Sequence, residues 1–209
     1  MRKPRVIVQG ATYHVTARIN RGEYIFEDNP FLKEMFIDII HHTHEHYKFS
    51  ACAVTIMDNH IHMMIQPEEN ERLDKIMNSI LSTFARRYNI MYKLHGHVWY
   101  DRFKSKVIAT KKQLVNTLRY ICNNPVRAGI IKNPVEYKFS TLNAVFSKVK
   151  TNLIQQMLDL FDSLDEEIRQ LYEDYINEFD PENAAQVDLS VGFYPGKPGR
   201  PKKSKNVIC

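Results

Sequence analysis

An α+β fold is predicted by three observations. The apolar period alternates along the chain between about 2 and about 3.6 residues in the order β-α-β-β-α-β-α. One short turn, Asp58-Asn59, joins the two middle strands. A chain of 209 residues with 44% hydrophobic and 25% charged side chains suits one cored domain with an appendage, not two large domains.

The first strand runs from Ala11 to Arg18, where alternation stops at the turn-like Asn20-Arg21-Gly22. Pro30 suits a first helical position, having a fixed φ and no N–H to satisfy, and Phe31, Leu32, Met35, Phe36, Ile39 and Ile40 then recur at helical spacing over 30–47. Phe49 to Met57 is β-rich, and His60 to Gln66 alternates again before Pro67, which gives a hairpin about Asp58-Asn59. Leu73, Ile76, Ile80, Leu81, Phe84 and Tyr88 mark a second helix. Val98 to Ala109 reads as a fourth strand and Lys111 to Asn124 as a third helix, which Pro125 is expected to stop. This order is the ferredoxin-like split βαβ plan, an antiparallel sheet backed by helices, with one helix added. The expected organisation is a catalytic or binding domain over 1–148, an acidic helical extension over 149–183 and a basic flexible tail over 184–209.

Composition narrows the setting. No apolar stretch approaches the roughly 18 residues of a membrane span, and the basic start, Met1 to Arg5, leads into no long apolar run. Cys52, Cys122 and Cys209 form no C-x-x-C pair, so neither a disulfide framework nor a cysteine zinc site has its raw material. A soluble cytoplasmic protein, monomer or homodimer, with no membrane partner is expected. The net charge of +5 hides strong patterning: residues 1–158 hold 23 Lys+Arg against 13 Asp+Glu, residues 159–182 hold ten acids against Arg169, and the remainder holds five bases against Asp188. A basic body suits a polyanion, and nucleic acid is the commonest one, although solvated lysines give the same count.

Two segments carry candidate chemistry. In His60-Ile61-His62 the strand period sends both imidazoles to one face and Ile61 to the other, toward the helices, which makes half a metal site or simply two polar strand positions. On the third helix, Leu114, Val115, Leu118, Ile121 and Cys122 share a side, and Tyr120 projects from a polar stripe of Asn116, Thr117, Asn123 and Asn124. A tyrosine packed with a wet hydroxyl would look the same.

Taken together, Met57-Asp58-Asn59-His60-Ile61-His62 and Arg119-Tyr120-Ile121-Cys122-Asn123-Asn124-Pro125-Val126-Arg127-Ala128-Gly129 closely resemble the two signature segments of the REP-associated tyrosine transposases. These are IS200-like transposases of the single-tyrosine branch of the HUH superfamily. Tyr13-His14-Val15-Thr16 with Arg18, Gly96-His97-Val98-Trp99 and Arg102-Phe103-Lys104-Ser105 agree with the same family, so the resemblance covers residues 5–145. It implies a ferredoxin-like catalytic domain, which the element order gives independently. It also implies His60, His62 and Asn124 as metal ligands, Tyr120 as nucleophile, and single-stranded DNA near hairpins as substrate. The family usually has proline where Asp58 stands, and a carboxylate there is expected to join the metal's outer shell or raise the histidine pKa values.

The implied chemistry is physically sound. A phosphodiester repels nucleophiles, and a divalent ion on a non-bridging oxygen offsets that charge. Imidazoles with an amide oxygen suit Mg²⁺ or Mn²⁺. Attack by tyrosine would leave a 5′-phosphotyrosine and a 3′-hydroxyl, a bond that a second hydroxyl can reverse without ATP.

Recognition is less legible. Arg18, Arg102, Lys104, Arg119, Arg127 and Arg200 are the candidate DNA contacts, and Trp99, Tyr100 and Phe103 the candidate stacking platforms. Arg200 lies in Gly199-Arg200-Pro201, the core of an AT-hook, but Pro198 stands where that motif has arginine. His42 and His46, at i, i+4, could bind zinc or simply serve as cations at a helix C-terminus. The leading function is a metal-dependent single-stranded DNA transposase or nuclease. The alternatives are a domesticated, non-cutting DNA-binding module on the same fold and a zinc hydrolase around the histidine-rich stretch.

Overall fold

A computed structural model of the chain describes residues 7–68 and 70–146, together with 166, 170 and 174. Glu166, Gln170 and Asp174 are helical and exposed, and the Gln170 amide donates to Asp174 at 3.0 Å. The rest of the acidic extension and the whole basic tail, Arg200 included, lie outside the described residues.

Strands β1 (Thr12–Arg18), β2 (Phe49–Ile56), β3 (His60–Pro67) and β4 (Lys104–Ile108) form one sheet in the order β2-β3-β1-β4. Every neighbouring pair is antiparallel. Between them run α1 (Pro30–His46), α2 (Leu73–Tyr92), α3 (Lys111–Arg127) and the short α4 (Thr141–Phe146). This is the expected α+β, split βαβ arrangement, with α3 added after the fourth strand.

The strand period of two gives the sheet two unlike faces. Tyr13, Val15 and Ala17 of β1, Ile61, Met63 and Ile65 of β3, and Val54 and Ile56 of β2 are buried on the first, against Leu32, Phe36, Ile39 and Ile40 of α1 and Ile76, Ile80 and Phe84 of α2. Each such large side chain stabilises the fold by roughly 1.5–3 kcal/mol, so this layer holds the domain together. The opposite face carries His14, Thr16 and Arg18, paired across the strands with Met64, His62 and His60. Only a small apolar cluster, Ala53, Met64, Leu118, Ile121, Cys122 and Leu142, anchors α3 there.

Local chemistry sets the helix ends. The Asn29 side chain accepts from the Leu32 N–H at 3.2 Å with Pro30 behind it, and Thr110 caps α3 by accepting from the Gln113 N–H at 3.2 Å. Two expectations are corrected. Pro125 does not stop α3: it is buried inside the helix, removes only its own N–H, and the chain leaves helix after Arg127 through a turn with Gly129 at φ +69°. The fourth strand is Lys104–Ile108, not 98–109. The preceding aromatic run lies off the ladder except for a bridge from Trp99 to Ile19, because Val98, Trp99 and Phe103 pack into the α1–α2 core from a loop. No helix among the described residues is long and apolar enough to cross a membrane.

Candidate active site on the polar face of the sheet

His60 opens β3 directly after the Asp58-Asn59 turn, which is held by the Met57 N–H on the His60 carbonyl at 2.9 Å and the Phe26 N–H on the Asp58 carbonyl at 3.0 Å. The Asn59 Oδ1 lies 2.7 Å from His60 Nδ1. An amide oxygen can only accept, so Nδ1 carries the proton and Nε2 keeps its lone pair. Two residues on, His62 shares the face, its ring centroid 4.9 Å from that of His60 and nearly perpendicular to it at 83°.

A third imidazole enters from β1. His14 Nε2 is 3.0 Å from His62 Nδ1, and the two rings stack 5.2 Å apart at 17°. The Thr16 hydroxyl is farther from the same nitrogen, at 3.4 Å. Sequence reasoning left His14 out of the site. Its signal was present in the alternation that puts His14, Thr16 and Arg18 on one face, but strand register is needed to set that face beside His62.

All three rings are held neutral. Burial, aided by the Lys106 charge, lowers the His14 pKa to about 4, and burial with Arg18 does the same for His60, to about 4. His62 lies well below the ordinary value because of burial first, then His60, His14 and Arg18. The expected rise from Asp58 does not occur, because the Asp58 carboxylate is turned away to Lys33. Lys33 Nζ donates to Asp58 Oδ1 at 3.2 Å and to the Tyr137 hydroxyl at 3.0 Å, and Tyr137 in turn donates to the Ile56 carbonyl at 2.6 Å.

Helix α3 lays Tyr120 on this group. Its half-buried ring meets His62 edge-on at 5.3 Å and 89°, and His14 at 5.8 Å and 75°. The Arg127 guanidinium lies over it at 5.5 Å. The expected polar stripe beside Tyr120 is only partly exposed: Thr117 and Asn123 are buried, since the sheet face below them is itself polar. Asn124, one turn on, gives its amide N–H to the Tyr120 carbonyl at 2.9 Å, which leaves Oδ1 as its possible ligand atom.

His60 Nε2, His62 and the Asn124 oxygen are neutral donors of the kind Mn²⁺ or Mg²⁺ accepts, with oxygen ligands from a phosphate or water completing the shell, so the donor chemistry fits such an ion. The histidine-rich end of α1 is arranged differently from expectation. Ligand atoms of His41, His42 and Glu45 come within 4.8 Å of one another, and His46 is not part of that group. His42 is already taken by carboxylates, Glu45 at 3.2 Å and Asp38 at 3.5 Å, with Arg87 on Asp38 at 3.2 Å. That is an exposed network of polar side chains on the surface of α1 and α2.

Of the candidate DNA contacts, Arg18, Arg102 and Lys104 line one groove of about 360 Å³ with Thr16, Arg21, Tyr100 and Asp101. One of its lining residues, Arg18, is the cross-strand partner of His60. Arg127 sits with Tyr120, and Arg119 is half-buried on α3. The three aromatic candidates separate. Phe103 is buried, and Trp99 packs on Phe36 and Phe84 with its indole N–H on the Leu81 carbonyl at 2.8 Å. Tyr100, 72% exposed, remains as a stacking surface.

Comparison with known proteins bears on the family and the fold. The family described as "Transposase IS200 like" matches residues 7–124, more than half of the chain. A curated relative from Haemophilus influenzae, described as a putative REP-associated tyrosine transposase, is 31% identical over 112 residues, 48% of this chain; the match spans 63% of that relative's own length. A solved REP-associated tyrosine transposase, bound to a REP hairpin, superimposes with a TM-score of 0.59 at 20% identity, over 68% of this chain and 83% of that one. At that identity the likeness establishes the fold.

Proposed function

This chain belongs to the IS200-like transposases, and from that membership we propose that it cuts and rejoins single-stranded DNA at hairpin-forming sites through a 5′-phosphotyrosine on Tyr120. The observation that carries the reading is the approach of the Tyr120 ring to within 5.3 Å of His62, from a helix that crosses the one polar face of the sheet. His60, His62 and Asn124 would hold a divalent ion. When bound, that ion supplies charge neutralisation on a non-bridging phosphate oxygen.

The chain's own residues do the remainder. Arg18, Arg102 and Lys104 draw the strand into the groove they line, and Tyr100 offers a face for an unpaired base. Tyr120 Oη attacks phosphorus in line, the bond to the 3′-oxygen breaks, and the proton lost by the tyrosine is matched by one gained at that oxygen. A 3′-hydroxyl of another strand reverses the step and is joined to the 5′ phosphate. Arg127, its guanidinium 5.5 Å from the ring centroid, stands where it can contact the phosphate that Tyr120 attacks. The catalytic unit in this reading is 1–148, with 149–183 as an acidic extension and 184–209, including Arg200, as a phosphate-contacting arm.

Tyr120→Phe tests it with the loss of one oxygen. The parent, given Mn²⁺ and hairpin DNA labelled 3′ of the nick, should yield a labelled protein band on a denaturing gel. The phenylalanine variant should bind the same DNA and give no band. A band from the variant removes Tyr120 as nucleophile, and a parent that forms none with any hairpin makes this chain a non-cutting DNA-binding module.

A further inference from the structure

We propose that His14 is the positioning residue of the site: it accepts the Nδ1 proton of His62 and so holds that ring with its Nε2 lone pair presented to the metal. The inference rests on the reading of His60 and His62 as metal ligands. Nothing in the resemblance assigns His14 a role, and the geometry carries one. The contact of 3.0 Å joins two ring nitrogens, His14 Nε2 and His62 Nδ1, which can be bonded only if one of them carries the proton and the other does not.

Metal binding decides which. An imidazole ligates through an unprotonated nitrogen, and with Nδ1 engaged by His14 the nitrogen of His62 left for a ligand is Nε2. The proton must then lie on His62 Nδ1, with His14 accepting at Nε2. His60 reaches the same state through a different acceptor, the Asn59 amide oxygen at 2.7 Å. Both ligands of the His60-Ile61-His62 pair thus have a fixed tautomer, each set by one neighbour.

Burial makes the His14 contact strong. His14 is 7% exposed and His62 4%, so solvent competes little for the bond, and the alternative acceptor, the Thr16 hydroxyl, is at a long 3.4 Å. The His14 ring also abuts Tyr120 at 5.8 Å. One side chain on β1 therefore touches both the metal ligand and the nucleophile and sets their relative position.

The test compares His14→Phe, which keeps a flat ring without an acceptor, with His14→Gln, whose amide oxygen can reach the place of Nε2. Two measurements are made on the full chain. Mn²⁺ alone is titrated by electron paramagnetic resonance, with His60→Ala/His62→Ala as the blank, and the His62 tautomer is read from long-range ¹H–¹⁵N NMR of the metal-free protein. His14→Phe should weaken Mn²⁺ binding about 10- to 100-fold, the usual range for a lost partner of a ligating histidine, while His14→Gln stays within about 3-fold of the parent. Parent and His14→Gln should show His62 protonated on Nδ1. A parent with His62 protonated on Nε2 overturns the inference even where His14→Phe fails to fold, and so does a folded His14→Phe that binds Mn²⁺ as the parent does. A parent whose Mn²⁺ binding equals the double-alanine blank instead overturns the metal reading itself.

Discussion

Three neutral histidines on one sheet face, His14 and His62 buried and His60 half-buried, should make the metal-free protein unusually sensitive to mild acid. His14 and His60 each fall to about 4 in the fold, against about 6.5 in an unfolded chain. Between those values the unfolded state binds more protons than the folded one, so stability is complete above about pH 6.5, falls as the pH drops, and stops falling below about 4. One such histidine withdraws about 2 kcal/mol at pH 5 and about 3 kcal/mol at pH 4. The pair therefore removes about 4 kcal/mol at pH 5, a large part of a domain stability of roughly 5–15 kcal/mol. Urea unfolding in EDTA at pH 7 and pH 5 measures this for the parent, His14→Gln and His60→Gln. Carboxylates titrate alike in all three, so the parent-to-variant difference isolates the histidines. Each variant should lose about 2 kcal/mol less than the parent over that interval. Equal losses in all three proteins would refute the claim that burial keeps these rings neutral.

Other consequences concern the turn and the groove. Asp58→Asn leaves the Lys33 ammonium, 7% exposed, without its counter-charge, and should lower unfolding free energy by about 3 kcal/mol in denaturant titrations; a loss under about 1 kcal/mol would mean that Lys33 finds water or another acceptor. Tyr100→Ala should weaken single-stranded DNA binding about 5- to 150-fold in fluorescence anisotropy, the range of one lost base stack, and unchanged affinity would remove Tyr100 as a platform. Lys104→Ala should reduce the slope of log K against log salt by about 0.7 on single strands, and a slope equal to the parent's would take Lys104 out of the phosphate path.

The element order was legible because each strand and helix buries one face, and burial imposes a period on the residues. Sheet order was legible only through the split βαβ plan, since nothing local says that β1 lies between β3 and β4. The fourth strand was read too long for a physical reason. Val98, Trp99, Tyr100 and Phe103 have the bulk and aromaticity of strand residues, but Trp99 and Phe103 satisfy that bulk from a loop against α1 and α2. Pro125 misled in the opposite direction. A proline in the last turn forfeits one hydrogen bond, and the packing of a buried pyrrolidine ring offsets it.

The site was half legible for the same kind of reason. Period 2 put His60 and His62 on one face, but the partners that give them a chemical state come from other elements. His14 arrives through the β1–β3 register, and Tyr120 through the seating of α3. Asp58 shows how far adjacency can mislead. In sequence it is the acid next to the histidines, whereas in the fold its carboxylate meets Lys33 of α1. The charges that act on the imidazoles are consequently Arg18 and Lys106, both positive, beside neutral donors. A divalent ion placed there adds further positive charge, and the group best able to balance it is the anionic phosphodiester. In the proposed reading, the arrangement that repels protons from these rings would suit a metal held in part by the phosphate of the substrate strand.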